Sequence, residues 1–168
     1  MNWIAPVAFI LQILLLLYVA GVDIATRLIH NKICLALAIL GIASQFSGPT
    51  HFTESLVIAA ILFLLLIVVY GRGWIGGGDI KLLVALAIGL RLSGVVQLLT
   101  ITALAGGVLA LAHLMMRRLP HPRPAPAGSS LLRRVYAVER WRHLRHAPLP
   151  YGAAIACGGI WTVFNLGV

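Results

Sequence analysis

The chain has 168 residues, of which 61% are hydrophobic and only 10% are charged, and its mean hydropathy is +1.00. A water-soluble domain of this length could not bury so much apolar surface in one core, so the composition predicts an integral membrane protein. The formal charge of +9 then indicates basic loops facing anionic lipid rather than a nucleic-acid-binding surface. Cys34 and Cys157 lie in apolar runs without metal-ligand spacing, so no disulfide framework is predicted.

Apolar runs divide the chain into six predicted membrane helices, which makes it an all-α, polytopic protein with one domain covering residues 1–168. The runs lie at about 3–22, 33–47, 55–70, 80–92, 94–116 and 149–168. The first run is long enough to span a bilayer and has no basic residues before it, so we expect a permanent helix rather than a cleavable signal peptide. Arg91, Ser93 and Gly94 predict a turn between the fourth and fifth runs.

The basic residues predict the orientation of these helices. With six spans, segments 23–32, 71–81 and 117–148 fall on one side and carry twelve of the thirteen lysines and arginines. The positive-inside bias makes that side cytoplasmic and places both termini outside, in an inner membrane. Within the basic loop, residues 131–146 repeat apolar side chains at helical spacing among arginines. This pattern predicts a cationic helix lying on anionic lipid, with a docking site for a substrate or partner as the alternative.

Two of the four acidic residues lie where a predicted helix meets the cytoplasmic face. Asp23 ends the first run and Asp79 opens the fourth, so both side chains can reach the same depth and meet. An ionisable group at the membrane edge is energetically costly, which makes the pair a candidate functional site. The alternative is that each aspartate only caps its helix or pairs with a nearby base, Arg27 or Lys81.

The sequence before Asp79 is rich in glycine. Gly76, Gly77 and Gly78 leave this backbone without Cβ atoms, so an extended substrate chain could approach the carboxylate closely. A phosphate-binding loop is an alternative, but the Walker-type Lys-Ser/Thr ending is absent and the aspartate would repel an anion. Two carboxylates without further oxygen ligands also make a poor magnesium site, so no cofactor or metal is predicted.

Three segments resemble the motifs of one family of membrane aspartic peptidases, the type IV prepilin peptidases. Residues 76–81, Gly-Gly-Gly-Asp-Ile-Lys, fit the GxGD pattern extended as GxGDxK. Residues 23–31 are similar to the family's first aspartate block, with His30 where the family usually has proline. Residues 150–152, Pro-Tyr-Gly, are similar to the segment that often opens its last helix.

The resemblance implies a catalytic pair made of Asp23 and Asp79. It implies four residues that support the active-site loops: Asn31, Gly76, Gly78 and Lys81. The implied reaction is hydrolysis after a short basic leader ending in glycine, at the cytoplasmic membrane face, with prepilins and pseudopilins as substrates.

The short form resembles the peptidases of tight-adherence (Flp) pilus systems. Larger members carry a four-cysteine insert and methylate their product, and nothing in this sequence corresponds to that insert, so no methyltransferase activity is expected. A preflagellin peptidase of the archaeal type is the nearest alternative. A proton-coupled transporter and a non-catalytic secretion subunit are alternatives from other classes.

Helix ends lead to a prediction about which aspartate holds the proton. Two neighbouring carboxyls cannot both ionise comfortably, so they would share one proton near neutral pH. Asp23 lies at a helix C-terminus, where the helix dipole disfavours negative charge, and Asp79 lies at an N-terminus, where the dipole favours it. The sequence therefore predicts an ionised Asp79 and a protonated Asp23.

Overall fold

A computed structural model describes residues 3–45, 51–117, 130 and 149–165, and these residues form six helices and no strand. The helices are α1 (Ile4–Thr26), α2 (Asn31–Gln45), α3 (Phe52–Gly71), α4 (Gly77–Ala87), α5 (Leu92–Arg117) and α6 (Tyr151–Asn165). The prediction of an all-α fold is confirmed. The predicted cationic helix at 131–146 lies outside the described residues.

Three helices in the described part of the chain are long and apolar enough to cross a membrane: Pro6–Thr26, Phe52–Gly71 and Leu92–Met115. The other helices are shorter. α2 has 15 residues and α4 has 11. At 1.5 Å per residue α4 is only about 16 Å long, against a hydrocarbon core of ~30 Å. The structure therefore supports a membrane protein, while six complete spans with both termini outside stay a prediction.

Two compact units make up the chain, and the larger one consists of Met1–Gly106 and Pro150–Val168. Within it, α4 packs against α2, α3 and α6, and α1 packs against α2 and α6. The buried residues of α4 are Ile80, Leu82, Leu83, Ala85, Leu86 and Ala87. A helix buried on nearly every side needs apolar residues all round, as this short helix has. Because α4 lies between these helices, Asp79 in its first turn lies inside the bundle. The smaller unit is Gly107–Leu149, of which the structure describes mainly the end of α5.

The turn between α4 and α5 lies at residues 88–91, which includes Arg91, whereas Ser93 and Gly94, also predicted to form it, lie in the first turn of α5. α4 ends at Ala87, and backbone hydrogen bonds from Gly89 to Leu86 (3.3 Å) and from Leu90 to Ala87 (3.0 Å) tighten the exit. This end of α4 is also held by Gln45 of α2, whose Nε2 donates to the carbonyl oxygen of Ile88 at 3.0 Å. α4 is thereby fixed at the end opposite to Asp79.

Two glycines allow α2 to approach this turn closely. A Cβ on Gly89 would lie 2.7 Å from the Cα of Gly41, and a Cβ on Gly41 would lie 3.1 Å from the Cα of Gly89. Because the neighbour is backbone in both cases, a side chain at either position would push α2 away from α4.

We expect Gly89→Ala to lower the free energy of unfolding by about 1–3 kcal/mol, the usual range for overpacking. Gly21→Ala is the matched control, because a Cβ on Gly21 would have nothing within 4 Å. Alanine is also the better helix former by about 1 kcal/mol, so the control should be neutral or more stable than wild type. Thermal unfolding in detergent micelles measures both effects. A Gly89→Ala protein that melts with the wild type would contradict the close packing.

Candidate active site

The two predicted aspartates come together in the larger unit. Asp23 lies in the last turn of α1 and Asp79 in the first turn of α4, and both helices pack against α2 and α6. Asp23 is buried, with 5% of the residue exposed, and Asp79 is partly buried. The charge of Asp23 contributes to a raised pKa of Asp79, so the two carboxyls are close enough to interact electrostatically. The two aspartates therefore lie in the same region of the larger unit, while a shared site and the catalytic role of each residue stay predictions.

Asp79 caps the first turn of its own helix. Its carboxylate accepts a hydrogen bond from the backbone N–H of Gly76, which is the N-cap residue of α4. An acidic side chain at the third helical position that bonds back to the N-cap residue is half of a capping box. A Cβ on Gly76 would lie 3.0 Å from Asp79 Oδ2, so the glycine leaves room for the carboxyl. Capping alone explains this bond, but it does not explain the second carboxyl nearby.

The pKa of Asp79 is raised from its ordinary value of 3.8 to about 6. Burial is the larger cause, the charge of Asp23 adds to it, and the hydrogen bond from Gly76 opposes both. Asp79 lies before the apolar run at 80–92 and outside the three candidate spans. A carboxyl whose pKa lies this close to neutral can both hold and release a proton, as a general acid must.

Asp23 is held by the start of α6. The backbone N–H of Ala153 donates to Asp23 Oδ2 at 3.1 Å. Backbone N–H groups in the first turn of a helix carry the positive end of its dipole and stabilise a carboxylate. Gly152 makes the approach possible, because a Cβ there would lie 2.8 Å from Asp23 Cγ.

The assignment of the proton to Asp23 stays a prediction. It weighed only the helix on which each aspartate lies, and α6 adds a donor to Asp23 that its own helix does not supply. Burial raises the pKa of Asp79 more than its helix N-terminus lowers it.

The loop that follows α1 lies against the glycine segment. A Cβ on Gly78 would lie 3.3 Å from Ile29 Cβ, so the missing side chain lets this loop pack beside Asp79. Lys81 Nζ donates to Asn31 Oδ1 at 3.0 Å and joins the first turn of α4 to the start of α2. Asn31, Gly78 and Lys81 thus lie at contacts between the two aspartate segments, and Gly76 lies against Asp79 itself. Their effect on activity stays a prediction.

Two neighbours of the site were not predicted. The first is the contact of α6 with Asp23, and the second is Tyr70, whose ring carbon Cε2 lies 3.6 Å from the position of a Cβ on Gly77. Gly152 in the first turn of an apolar helix was a signal of close approach, but nothing in the sequence indicated that its neighbour is Asp23. The described residues contain no group of three or more histidine, cysteine, aspartate or glutamate side chains arranged to hold a metal ion.

A helical bundle with apolar outer faces and two interacting aspartates defines the class of protein: a helical membrane protein with a paired-carboxyl site. Residues 10–111 match the family model described as the type IV leader peptidase family. The match covers more than half of the chain and includes both aspartates, so the protein belongs to this family of aspartic peptidases. Membership supports a leader peptidase function in general. Searches of curated proteins and of solved structures gave no match.

We expect Asp79→Asn to stabilise the protein most at neutral pH. The pKa of Asp79 is higher in the folded protein than its ordinary value of 3.8, so the folded state binds the proton more tightly than the unfolded chain. This contribution is complete below 3.8 and is lost as the pH rises through about 6, where the wild type must hold a partly buried charge. Asparagine avoids that charge, and its oxygen can still accept the N–H of Gly76.

Melting temperatures of the two proteins, measured across this pH range, check the expectation. The advantage of Asp79→Asn should grow as the pH rises and should level off above about 6. An advantage that is the same at every pH would show that Asp79 has an ordinary pKa.

Proposed function

We propose that this protein is a prepilin leader peptidase, an aspartic endopeptidase that cleaves after the basic, glycine-ending leader of Flp-like type IV prepilins and of pseudopilins. The observation that carries the proposal is the electrostatic influence of Asp23 on Asp79, which raises the pKa of Asp79, in a chain of the leader peptidase family. Two carboxyls that share a proton form a hydrolytic site without a metal or a covalent intermediate.

The chemistry needs one ionised and one protonated carboxyl. The ionised carboxyl takes a proton from a water molecule, whose oxygen attacks the scissile carbonyl carbon while the protonated carboxyl donates its proton to the carbonyl oxygen. In the second step the carbon–nitrogen bond breaks. The nitrogen then receives the proton taken from water, and the other carboxyl recovers its own. Both residues end in their starting states, so no further reactant is required.

The glycine segment supports an extended substrate. Gly76 is exposed, and Gly77 and Gly78 are partly exposed. A substrate backbone can therefore lie close to Asp79 without meeting side chains. In this arrangement the basic leader stays in water, and the apolar helix that follows the scissile bond stays in the membrane.

Charge supports a cytoplasmic location for the site in the inner membrane. Basic residues occur in the segments next to the two aspartates: Arg27, Lys32, Arg72 and Lys81. An excess of lysine and arginine is typical of cytoplasmic loops, which favours six spans with both termini outside. Residues 131–146, outside the described part of the chain, would add a contact with anionic lipid.

Co-expression of the full chain with candidate substrates tests this function. We expect removal of the leader from an Flp-like prepilin, read as a mass shift and as a new N-terminus directly after the leader's glycine. The same prepilin with a bulky residue in place of that glycine is the control and should stay uncleaved. Cleavage of a preflagellin but not of the prepilin would favour the archaeal-type alternative, and cleavage of neither by a folded protein would reject the proposal.

A further inference from the structure

We propose that Arg72 and Trp74, in the turn between α3 and α4, form a binding site for the phosphate group of an anionic membrane lipid. The turn consists of residues 72–76. The site is separate from the paired aspartates, so the proposal does not rest on the proposed function. A lipid bound there would tie this turn to the membrane surface.

The turn begins at the edge of the membrane. α3 is one of the helices long and apolar enough to span a bilayer, and its candidate span ends at Gly71. The residues that follow therefore lie at the depth of the lipid headgroups. Tyr70 is 53% exposed and Trp74 is 72% exposed. Tyrosine and tryptophan are enriched at this depth, where the ring meets acyl chains and its polar atom meets water.

The backbone of the turn holds Trp74 in an outward position. The N–H of Gly73 donates to the carbonyl oxygen of Tyr70 at 2.8 Å, and the N–H of Trp74 donates to that of Val69 at 3.4 Å. These two bonds form the Schellman motif that ends many helices, with Gly73 as its left-handed residue at φ +73°. The residue after the glycine often packs back on its helix in this motif. Trp74 stays exposed instead, so its ring can contact lipid.

Arg72 lies over the ring of Trp74. Its Cζ atom is 5.6 Å from the ring centroid, within the range of a cation–π contact. Among the residues that the structure describes, no carboxylate pairs with the Arg72 guanidinium. A stacked guanidinium still presents N–H groups at the edge of its plane, where they match two oxygens of a phosphate. The pair therefore offers a ring to the acyl chains and a fork of donors to the phosphate.

Charge and depth together favour an anionic lipid as the occupant. A cation without a carboxylate partner attracts an anion, and phospholipid phosphates lie at the depth of this turn. Zwitterionic headgroups carry a cation next to the phosphate, which Arg72 would repel, so the site should prefer anionic lipid. The basic leader of the proposed substrate would also be repelled by Arg72.

The turn leads directly into the glycine segment. A Cβ on Gly77 would lie 3.6 Å from Tyr70 Cε2, so the ring of Tyr70 lies beside the first residue of α4. Gly76, the last residue of the turn, is the N-cap of this helix. A lipid held by Arg72 and Trp74 would therefore keep the start of α4 at the membrane surface.

Fluorescence quenching by brominated lipid measures which lipid lies beside Trp74. The chain has four tryptophans, and Trp3→Phe, Trp141→Phe and Trp161→Phe leave one probe. The protein is placed in nanodiscs of phosphatidylglycerol and phosphatidylcholine in equal parts, with the acyl chains of only one lipid brominated. We expect an apparent preference of about fivefold for phosphatidylglycerol, the attraction of one basic residue to an anionic surface. Equal quenching by the two lipids, or quenching by neither, would overturn the proposal.

Variants at position 72 separate the site from the general charge of this face. Arg72→Gln should abolish the preference, whereas Arg72→Lys should keep part of it, because an ammonium attracts the phosphate but lacks the fork of donors. A protein that keeps only Trp161, towards the C-terminal end of α6, is the control and should show no response to Arg72→Gln. A preference at Trp74 that survives Arg72→Gln unchanged would reject the site.

Gly73→Val tests whether the turn positions the pair. A β-branched residue is strongly disfavoured at φ +73°, so the Schellman motif should open and the lipid preference at Trp74 should fall. Gly71→Val is the control, because a Cβ there would have nothing within 4 Å. An unchanged preference in Gly73→Val would reject the role of the turn. If Gly73→Val does not fold, the comparison of Arg72→Gln with the unchanged arginine still decides whether the site exists.

Discussion

Asp23→Asn and Asp79→Asn are each expected to lower the rate of leader removal by about 10²–10⁴-fold, the range for losing a general acid or base. An amide at either position can neither take the proton of the attacking water nor donate a carboxyl proton to the peptide oxygen. Single-turnover cleavage of a purified prepilin in micelles measures the chemical step apart from product release.

Loss of folding can be separated from loss of chemistry in these variants. Asp79→Asn should be more stable than wild type above about pH 6, because the amide removes a partly buried charge. A more stable but inactive protein is the pattern expected when stability is sacrificed at a functional site. Glu54→Gln is the matched control, since Glu54 lies 3.8 Å from Arg91 in an exposed pair and away from the aspartates. Normal cleavage by either aspartate variant would contradict the catalytic assignment.

Gly78→Val is expected to lower kcat by about 10²-fold, because the added side chain would press on the loop after α1. The site of a Cβ on Gly78 lies 3.3 Å from Ile29 Cβ and 3.6 Å from both Cγ1 and Cδ1. Relief of this clash would move the segment that carries Asp79 away from the segment that follows Asp23. A displacement of about 1 Å at a reacting group is enough for a loss of this size.

A rescue variant shows whether the loss comes from this contact. Ile29→Ala removes Cγ1 and Cδ1 but keeps Cβ, so it should restore part of the activity of Gly78→Val and give an interaction in a double-mutant cycle. Gly71→Val is the control, because a Cβ on the last residue of α3 would have nothing within 4 Å. Additive losses in Gly78→Val and Ile29→Ala would show that the two residues act separately.

Local sequence signals predicted the helices well and their ends less well. Arg91 lies in the turn that separates α4 from α5, as charge in an apolar run indicated, whereas Gly94 lies inside α5. The first run was expected to end at residue 22, yet α1 continues to Thr26 and places Asp23 inside its last turn. α4 begins at Gly77 rather than at 80, because Asp79 caps the helix that it opens. Capping contacts of this kind are not visible in hydropathy.

The sequence showed how deep each aspartate lies along its helix. It did not show which other helices contact them. Asp23 and Asp79 end and open their helices on one predicted side, which was enough to expect them together. The donor to Asp23 is 130 residues away in sequence, and its position depends on how α6 packs against α1. For that reason the aspartates could be named from the sequence, whereas the contact of α6 with Asp23 could not be predicted.

The double variant Asp23→Asn/Asp79→Asn, compared with each single variant in single-turnover cleavage, tests most directly whether two carboxyls act on one water. Residues that act as a unit show losses that do not add, because removing either one already disables the step. We therefore expect the double variant to cleave no more slowly than the slower single variant. Losses that multiply in the double variant would contradict a shared water between Asp23 and Asp79.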